Sequence, residues 1–201
     1  MRLMIAIPAM DFVPTEFAES LGKLTARLAR DGVDFELVFE KGTLVYMARD
    51  RLASRAVNHG YSHVLWLDSD MVFTDGILDD LMFCGRDFVT GIAHGRRKPY
   101  LSCVFKNLEL TNLTRWTVDE YPAEAFEVAG CGFACVLIRT EILKAVLEKF
   151  NTAFTPYPMY GEDLSFCKRA VSLGYRIYAE PSVRLGHVGH QTVYPEDEVR
   201  S

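Results

Sequence analysis

Asp68-Ser69-Asp70 closes the apolar run His63-Val64-Leu65-Trp66-Leu67. Two carboxylates one residue apart, at the carboxyl end of a segment that reads as a buried strand, stand where open α/β sheets keep their ligand crevice. Holding such a pair in apolar surroundings is costly unless a cation or strong hydrogen bonds compensate it. A divalent cation is the natural compensator. Oxygen ligands suit Mg²⁺ or Mn²⁺, which complete their coordination with water and substrate phosphate. Two more acids, Glu162 and Asp163, follow Gly161 where a helical pattern opens, and the segment Gly186-His187-Val188-Gly189-His190 lies beyond the next strand pattern.

Strand and helix patterns alternate around these residues. Leu3 to Pro8 reads as a strand, and Pro14 to Arg30 as a helix with Phe17, Leu21, Leu24 and Leu28 on one face. Phe35 to Phe39 is a second strand. A helix from about Leu44 to Asn58 follows, with Leu44, Ala48, Leu52 and Ala56 at i, i+4 spacing and His59-Gly60 as its stop. On that helix Arg49 sits about 60° from Leu52, whereas Arg51 and Arg55 share another face, so Arg49 is the one expected to point inward at a ligand. After the strand that carries Asp68 come a short helix, Ile77 to Phe83, and a strand, Phe88 to Ala93. His94 to Pro122 has no helical period and reads as irregular strands and loops. Phe126 to Arg139 is strand-like but broken by Gly130-Cys131-Gly132, where a bulge or the approach of a ligand to the backbone is expected. Thr140 opens a helix with an Ile142, Leu143, Val146, Leu147 and Phe150 stripe, a second helix runs from Gly161 to Gly174, and Arg176 to Ala179 is a last strand. The expected fold class is α/β, one domain over 1–201 with a mainly parallel central sheet and helices on both faces.

The 201 residues, 49% hydrophobic and 24% charged, suit one domain with a full core. A formal net charge of −5 supplies no basic field to recruit nucleic acid, so an anionic substrate must be attracted locally. Five cysteines without a Cys-x-x-Cys pair read as reduced residues of a cytoplasmic protein, and Cys131 and Cys135 lack the second ligand pair of a zinc site. The opening residues, with Pro8 after a short apolar run, do not read as a signal peptide, and no apolar stretch is long enough to span a bilayer.

The carboxylate pair after a buried strand, the acidic pair opening a helix and the histidine beyond the following strand, in that order, resemble the GT-A glycosyltransferases. The resemblance runs from Ile5-Ala6-Ile7-Pro8 to His187 and implies a GT-A-like fold. Residues 1 to about 93 would be the nucleotide-binding half, and about 94 to 201 the acceptor side. It further implies transfer of a sugar from a UDP- or GDP-type donor to a hydroxyl acceptor, with Mn²⁺ or Mg²⁺ as cofactor. Asp70 would ligate the metal, Asp68 would reach the ribose or the metal through water, and His187, with His190 as its substitute, would be a further ligand. Ser69 and Arg49 would lie against the nucleotide, and Pro8 and Ala9 against its base. Gly130, Cys131 and Gly132 would underlie the donor sugar. Asp163 would be the general base of an inverting reaction, with its ionised form favoured by the helix N-terminus, and Glu162 would hold acceptor hydroxyls.

Other readings attach to the same residues. Asp68 and Asp70 can cap a turn, Asp163 can be a helix N-cap, and His187 can be a surface histidine. Arg96-Arg97-Lys98 reads as a solvated charge run or as a contact to diphosphate or an acidic acceptor. Trp116, Tyr157 and Tyr160 suit either a sugar face or core packing. An Asp-x-Asp segment also opens the haloacid dehalogenase-like phosphatases, but on their first strand, whereas here a strand-helix-strand-helix unit precedes it. A nucleotidyltransferase would show a Gly-rich phosphate loop where this chain has Pro8-Ala9-Met10-Asp11. Binding of nucleotide or carbohydrate without turnover is the non-enzymatic alternative.

Overall fold

A computed structural model describes residues 1–189 and Tyr194. In chain order the elements are β1 (Arg2–Ala9), α1 (Thr15–Arg30), β2 (Asp34–Lys41), α2 (Val45–Asn58), β3 (His63–Leu67), β4 (Met71–Val72), α3 (Ile77–Phe83), β5 (Phe88–Gly91), β6 (Val104–Phe105), β7 (Phe126–Val128), β8 (Gly130–Cys131), β9 (Cys135–Arg139), α4 (Thr140–Phe150), α5 (Glu162–Ser172), β10 (Ile177–Glu180) and β11 (Gly186–His187). Seven strands form one sheet in the order β2-β1-β3-β9-β5-β10-β7. Strands β2, β1, β3, β5 and β10 run one way, whereas β9 and β7 run against them.

The alternating side chains of the central strands fill two cores. Met4, Ala6, Val64, Trp66, Val136 and Ile138 face α2, α4 and α5, whose Leu52, Ala53, Ile142, Leu143 and Phe166 complete that layer. Leu3, Ile5, Ile7, Leu65, Leu67 and Leu137 face the other way, against Phe17, Leu24 and Leu28 of α1 and Ile77 and Leu81 of α3. Helices therefore cover both faces, as the near-continuous apolar strands require. Each fully buried Val, Leu, Ile, Met or Phe side chain among them contributes about 1.5–3 kcal/mol.

The stretch read as one interrupted strand, Phe126 to Arg139, is three. β7 pairs with β10 at the sheet edge, β8 pairs with β6 outside the sheet, and β9 turns back between β3 and β5. This insertion gives one sheet to residues before and after 93. The region 94–122 is irregular apart from β6, a single 3₁₀ turn at Val118–Glu120 and isolated bridges His94–Ser102 and Phe105–Arg115. Among the described residues, no helix is long and apolar enough to cross a membrane.

Candidate functional site

The carboxyl ends of β1, β3 and β5 open onto one rim of the molecule, and the acidic residues collect there. Asp68 follows β3 directly, with its backbone N–H donating to the Ala134 carbonyl at 3.0 Å. The chain then turns into β4, which pairs with β11 so that His187 lies opposite Met71. The Val188 N–H donates to the Asp70 carbonyl at 2.9 Å. Backbone pairing thus carries His187 to the Asp-x-Asp segment across more than a hundred residues. His187 Nε2 is 3.4 Å from Asp70 Oδ2, and its Nδ1 bonds the His94 carbonyl at 2.7 Å. A histidine whose second nitrogen is held by a carbonyl has the support found behind metal-ligating imidazoles.

Electrostatics set the protonation of this pair. Partial burial pushes the Asp70 carboxyl upward, but the bond to His187 and the nearby Arg96 charge outweigh it and hold the group below its ordinary value. His187 is affected in the opposite sense, because bonds to Asp70 and the His94 carbonyl overcome burial and raise its pKa.

Arg49 organises the other acids. It is the inward arginine of α2, 1% exposed, while Arg51 and Arg55 pair on the outer face with Glu40 and Glu36. Its Nη2 is 2.8 Å from Asp68 Oδ1, and its Nε lies 3.3 Å from Asp163 Oδ1 and 3.8 Å from Glu162 Oε1. The guanidinium sits among the rings of Phe133, Trp66 and Phe154, with its carbon 5.3–5.9 Å from their centroids. Burial disfavours the cation, yet the three carboxylates raise its pKa, so it stays charged. What Arg49 meets is carboxylate on one side and aromatic ring on the other.

Asp163 is the second residue of α5, whose N-cap is Gly161, so it does not cap the helix. Its Oδ2 accepts the Phe133 N–H at 3.1 Å, tying α5 to the β8–β9 link. The helix N-terminus does not keep its pKa low: desolvation, with repulsion from Glu162 and Asp68, outweighs Arg49 and lifts it to about 7. Asp68 is raised for the same first reason, against Arg49.

The remaining sequence candidates fall in different places. Pro8, Ala9 and Ser69 line a cavity of about 110 Å³, together with Thr43 and Ala48, and it is of a size to hold the edge of a planar ring. Gly130 and Cys131 are buried. A Cβ on Gly130 would lie 3.0 Å from Leu108, and the Cys131 backbone N–H donates to Cys167 Sγ at 3.5 Å, so the small residues there serve packing. Gly132 is partly open, and its own Cβ would meet Cys103 at 3.2 Å. All five cysteines are free, and no zinc set forms around Cys131 and Cys135 among the described residues. Trp116 packs on Phe126 and Tyr157 on Arg169, while the Tyr160 hydroxyl bonds the Leu108 carbonyl; these contacts anchor loops. His190 lies outside the described residues.

One residue read mainly as solvated comes to the centre. Arg96 Nη1 is 3.1 Å from Asp70 Oδ2. With Arg97, Pro14 and Val188 it lines a cleft of about 550 Å³ beside the carboxylates. No local signal marks it, because its reach depends on how the 94–102 segment folds back.

The oxygen and imidazole donors of Asp68, Asp70 and His187 suit Mg²⁺ or Mn²⁺, and the second-nitrogen support of His187 fits a ligand role. In this arrangement Asp68 turns to Arg49, and among the described residues no three such groups converge into a ready ligand set.

No protein-family model matches the chain, and no curated protein matches it in sequence. Solved structures do match. A197 from STIV superposes with a TM-score of 0.68 at 20% identity, over 98% of this chain and 92% of that one. The catalytic domain of Drosophila β1,4-galactosyltransferase 7, in complex with xylobiose, gives 0.53 at 16% identity over 90% and 66%. UDP-glucose pyrophosphorylase in complex with UDP-glucose gives 0.52 at 9% over 90% and 90%. At such identities the likeness is one of fold, and the fold is GT-A-like.

Proposed function

We propose that the protein is a metal-dependent glycosyltransferase that takes a UDP- or GDP-type sugar donor and inverts the anomeric carbon on transfer to a hydroxyl acceptor. The observation that supports it most is the meeting, at one rim of a GT-A-like sheet, of Asp70 with His187 on one side and of Asp68 with Asp163 and Glu162, through Arg49, on the other. Two of the neighbours in fold, a galactosyltransferase and a UDP-glucose pyrophosphorylase, handle sugar substrates in the same kind of domain.

The small cavity at Pro8, Ala9 and Ser69 would take the base, and the cleft at Asp70, Arg96 and Arg97 the diphosphate. Asp70 and His187, with Asp68, would hold Mn²⁺ or Mg²⁺. The ion would neutralise charge that builds on the leaving diphosphate. Asp163 would take the proton of the acceptor hydroxyl as its oxygen bonds the anomeric carbon and the electron pair of the old bond leaves with the diphosphate. Asp163 Oδ1 is sealed against Arg49, so Oδ2 is the oxygen that would receive the proton. A base with a pKa of about 7 is matched to transfer near neutrality. Glu162 would hold acceptor hydroxyls.

A thermal-shift screen of UDP- and GDP-sugars with Mn²⁺ tests the donor, since a bound ligand stabilises by mass action. Release of nucleoside diphosphate with a panel of hydroxyl acceptors then tests turnover. Donor binding without release on any acceptor would favour a non-catalytic binding domain, and no shift with any donor would refute the proposal.

A further inference from the structure

Three consecutive cations, Arg96-Arg97-Lys98, sit at the tip of a tight hairpin. The bridge between His94 and Ser102 closes its stem, with the Gly95 N–H on the Leu101 carbonyl at 2.9 Å and the Tyr100 N–H on the Arg97 carbonyl at 2.8 Å. His94, Tyr100 and Ser102 are buried, and the His94 carbonyl holds His187. A buried stem therefore aims an exposed tip at the rim of the site.

Among the described residues, Arg96 is the one of the three that reaches an acid there. Its Nη1 meets Asp70 Oδ2, the oxygen that His187 Nε2 also approaches. The Arg96 side chain is 52% exposed, whereas that of Arg49 is 2% exposed, so Arg96 is free to leave its acid in a way that Arg49 is not. A divalent ion on that oxygen would face the guanidinium at close range. The two positive charges cannot share the carboxylate without strong repulsion. A guanidinium forks onto phosphate as well as it does onto carboxylate, and the cleft that Arg96 and Arg97 line lies alongside.

We propose that Arg96 is a diphosphate-binding residue that guards Asp70: it pairs with Asp70 in the empty site and passes to a phosphate oxygen when a divalent cation and a nucleoside diphosphate bind together. The inference rests on the function proposed above for the identity of the diphosphate. Arg96 then opposes binding of the cation alone and favours binding of the cation with diphosphate. Donor and metal would enter cooperatively because one side chain serves both states.

The test is Arg96→Gln against wild type, with Arg86→Gln at the opposite end of the sheet as control. Mn²⁺ alone is titrated by the loss of its free-ion paramagnetic resonance signal. UDP, GDP and inorganic pyrophosphate are titrated calorimetrically with Mn²⁺ present. Arg96→Gln should bind Mn²⁺ alone about two- to fivefold more tightly, the range of a partly exposed ion pair. It should bind the diphosphates about tenfold or more weakly, as expected for loss of a charged hydrogen bond. Opposite signs are the signature, and Arg86→Gln should move neither. Mn²⁺ affinity that is unchanged or lower in Arg96→Gln overturns the proposal, as does unchanged diphosphate affinity. A wild-type protein that binds no Mn²⁺ or no diphosphate at all overturns it too. If Mn²⁺ alone binds more tightly and pyrophosphate more weakly to Arg96→Gln while UDP and GDP do not bind to either protein, Arg96 keeps its role and the nucleotide-sugar function fails.

Discussion

Asp163→Asn separates the burial of this carboxyl from its place on the helix. The acid rises from an ordinary value near 3.8 to about 7 in the folded protein. Below pH 3.8 it is protonated folded and unfolded alike and costs nothing. Between that pH and 7 the unfolded chain ionises while the folded protein keeps its proton, so stability falls as pH rises and levels off above 7. Three units at 1.36 kcal/mol each make the full loss about 4 kcal/mol, of which roughly 3 kcal/mol falls between pH 5 and 8. Asparagine keeps an acceptor for the Phe133 N–H but cannot ionise. The melting temperature of Asp163→Asn should therefore gain on wild type by roughly 5–10 °C between pH 5 and 8, at about 2–4 °C per kcal/mol for a chain of this length. Differential scanning calorimetry across that range is the assay. Parallel curves for the two proteins would refute the argument, since they would mean that the helix terminus and Arg49 hold Asp163 ionised after all. Transfer by wild type should rise with pH through a midpoint near 7, and Asp163→Asn should lose about 10² to 10⁴ in turnover.

Arg49→Met leaves Asp68, Asp163 and Glu162 without their buried cation and should cost about 3–5 kcal/mol in chemical denaturation, with the loss deeper at pH 8 than at pH 5 because Asp163 is protonated at the lower pH. Asp70→Asn should abolish the Mn²⁺-dependent part of UDP or GDP binding in calorimetry with and without EDTA, while the melting temperature stays close to wild type. Gly91→Ala places a methyl 2.6 Å from Val183 Cγ1 and 2.9 Å from Leu185 Cδ1 at the end of β5; urea unfolding should show a loss of about 1–3 kcal/mol.

Much of this molecule is local and therefore readable in the chain. Apolar alternation and helical period mark β1, α1, β2, α2, β3, α4 and α5, because each such segment has to bury one face whatever its partner is. The Asp-x-Asp pair is legible for a similar reason, since two acids directly after a buried strand have to emerge at its carboxyl end. Arg49 is recognisable as the inward arginine from helical geometry alone. Long-range pairing decided the rest. β9 turns back between β3 and β5 because hydrogen bonding to two neighbours, and not its own apolar pattern, sets its direction. Gly130 and Cys131 look from sequence like a floor for a ligand, yet Leu108, Leu164 and Cys167, all distant in the chain, close over them. Arg96 reads as one charge in a solvated run until a hairpin swings it onto Asp70. The pKa of Asp163 shows the limit most sharply. A helix N-terminus is visible in sequence and favours the anion, but the desolvation that overrides it comes from packing of α5 against β8 and the rings around Arg49, and burial by residues far apart in the chain exists only once the chain has folded.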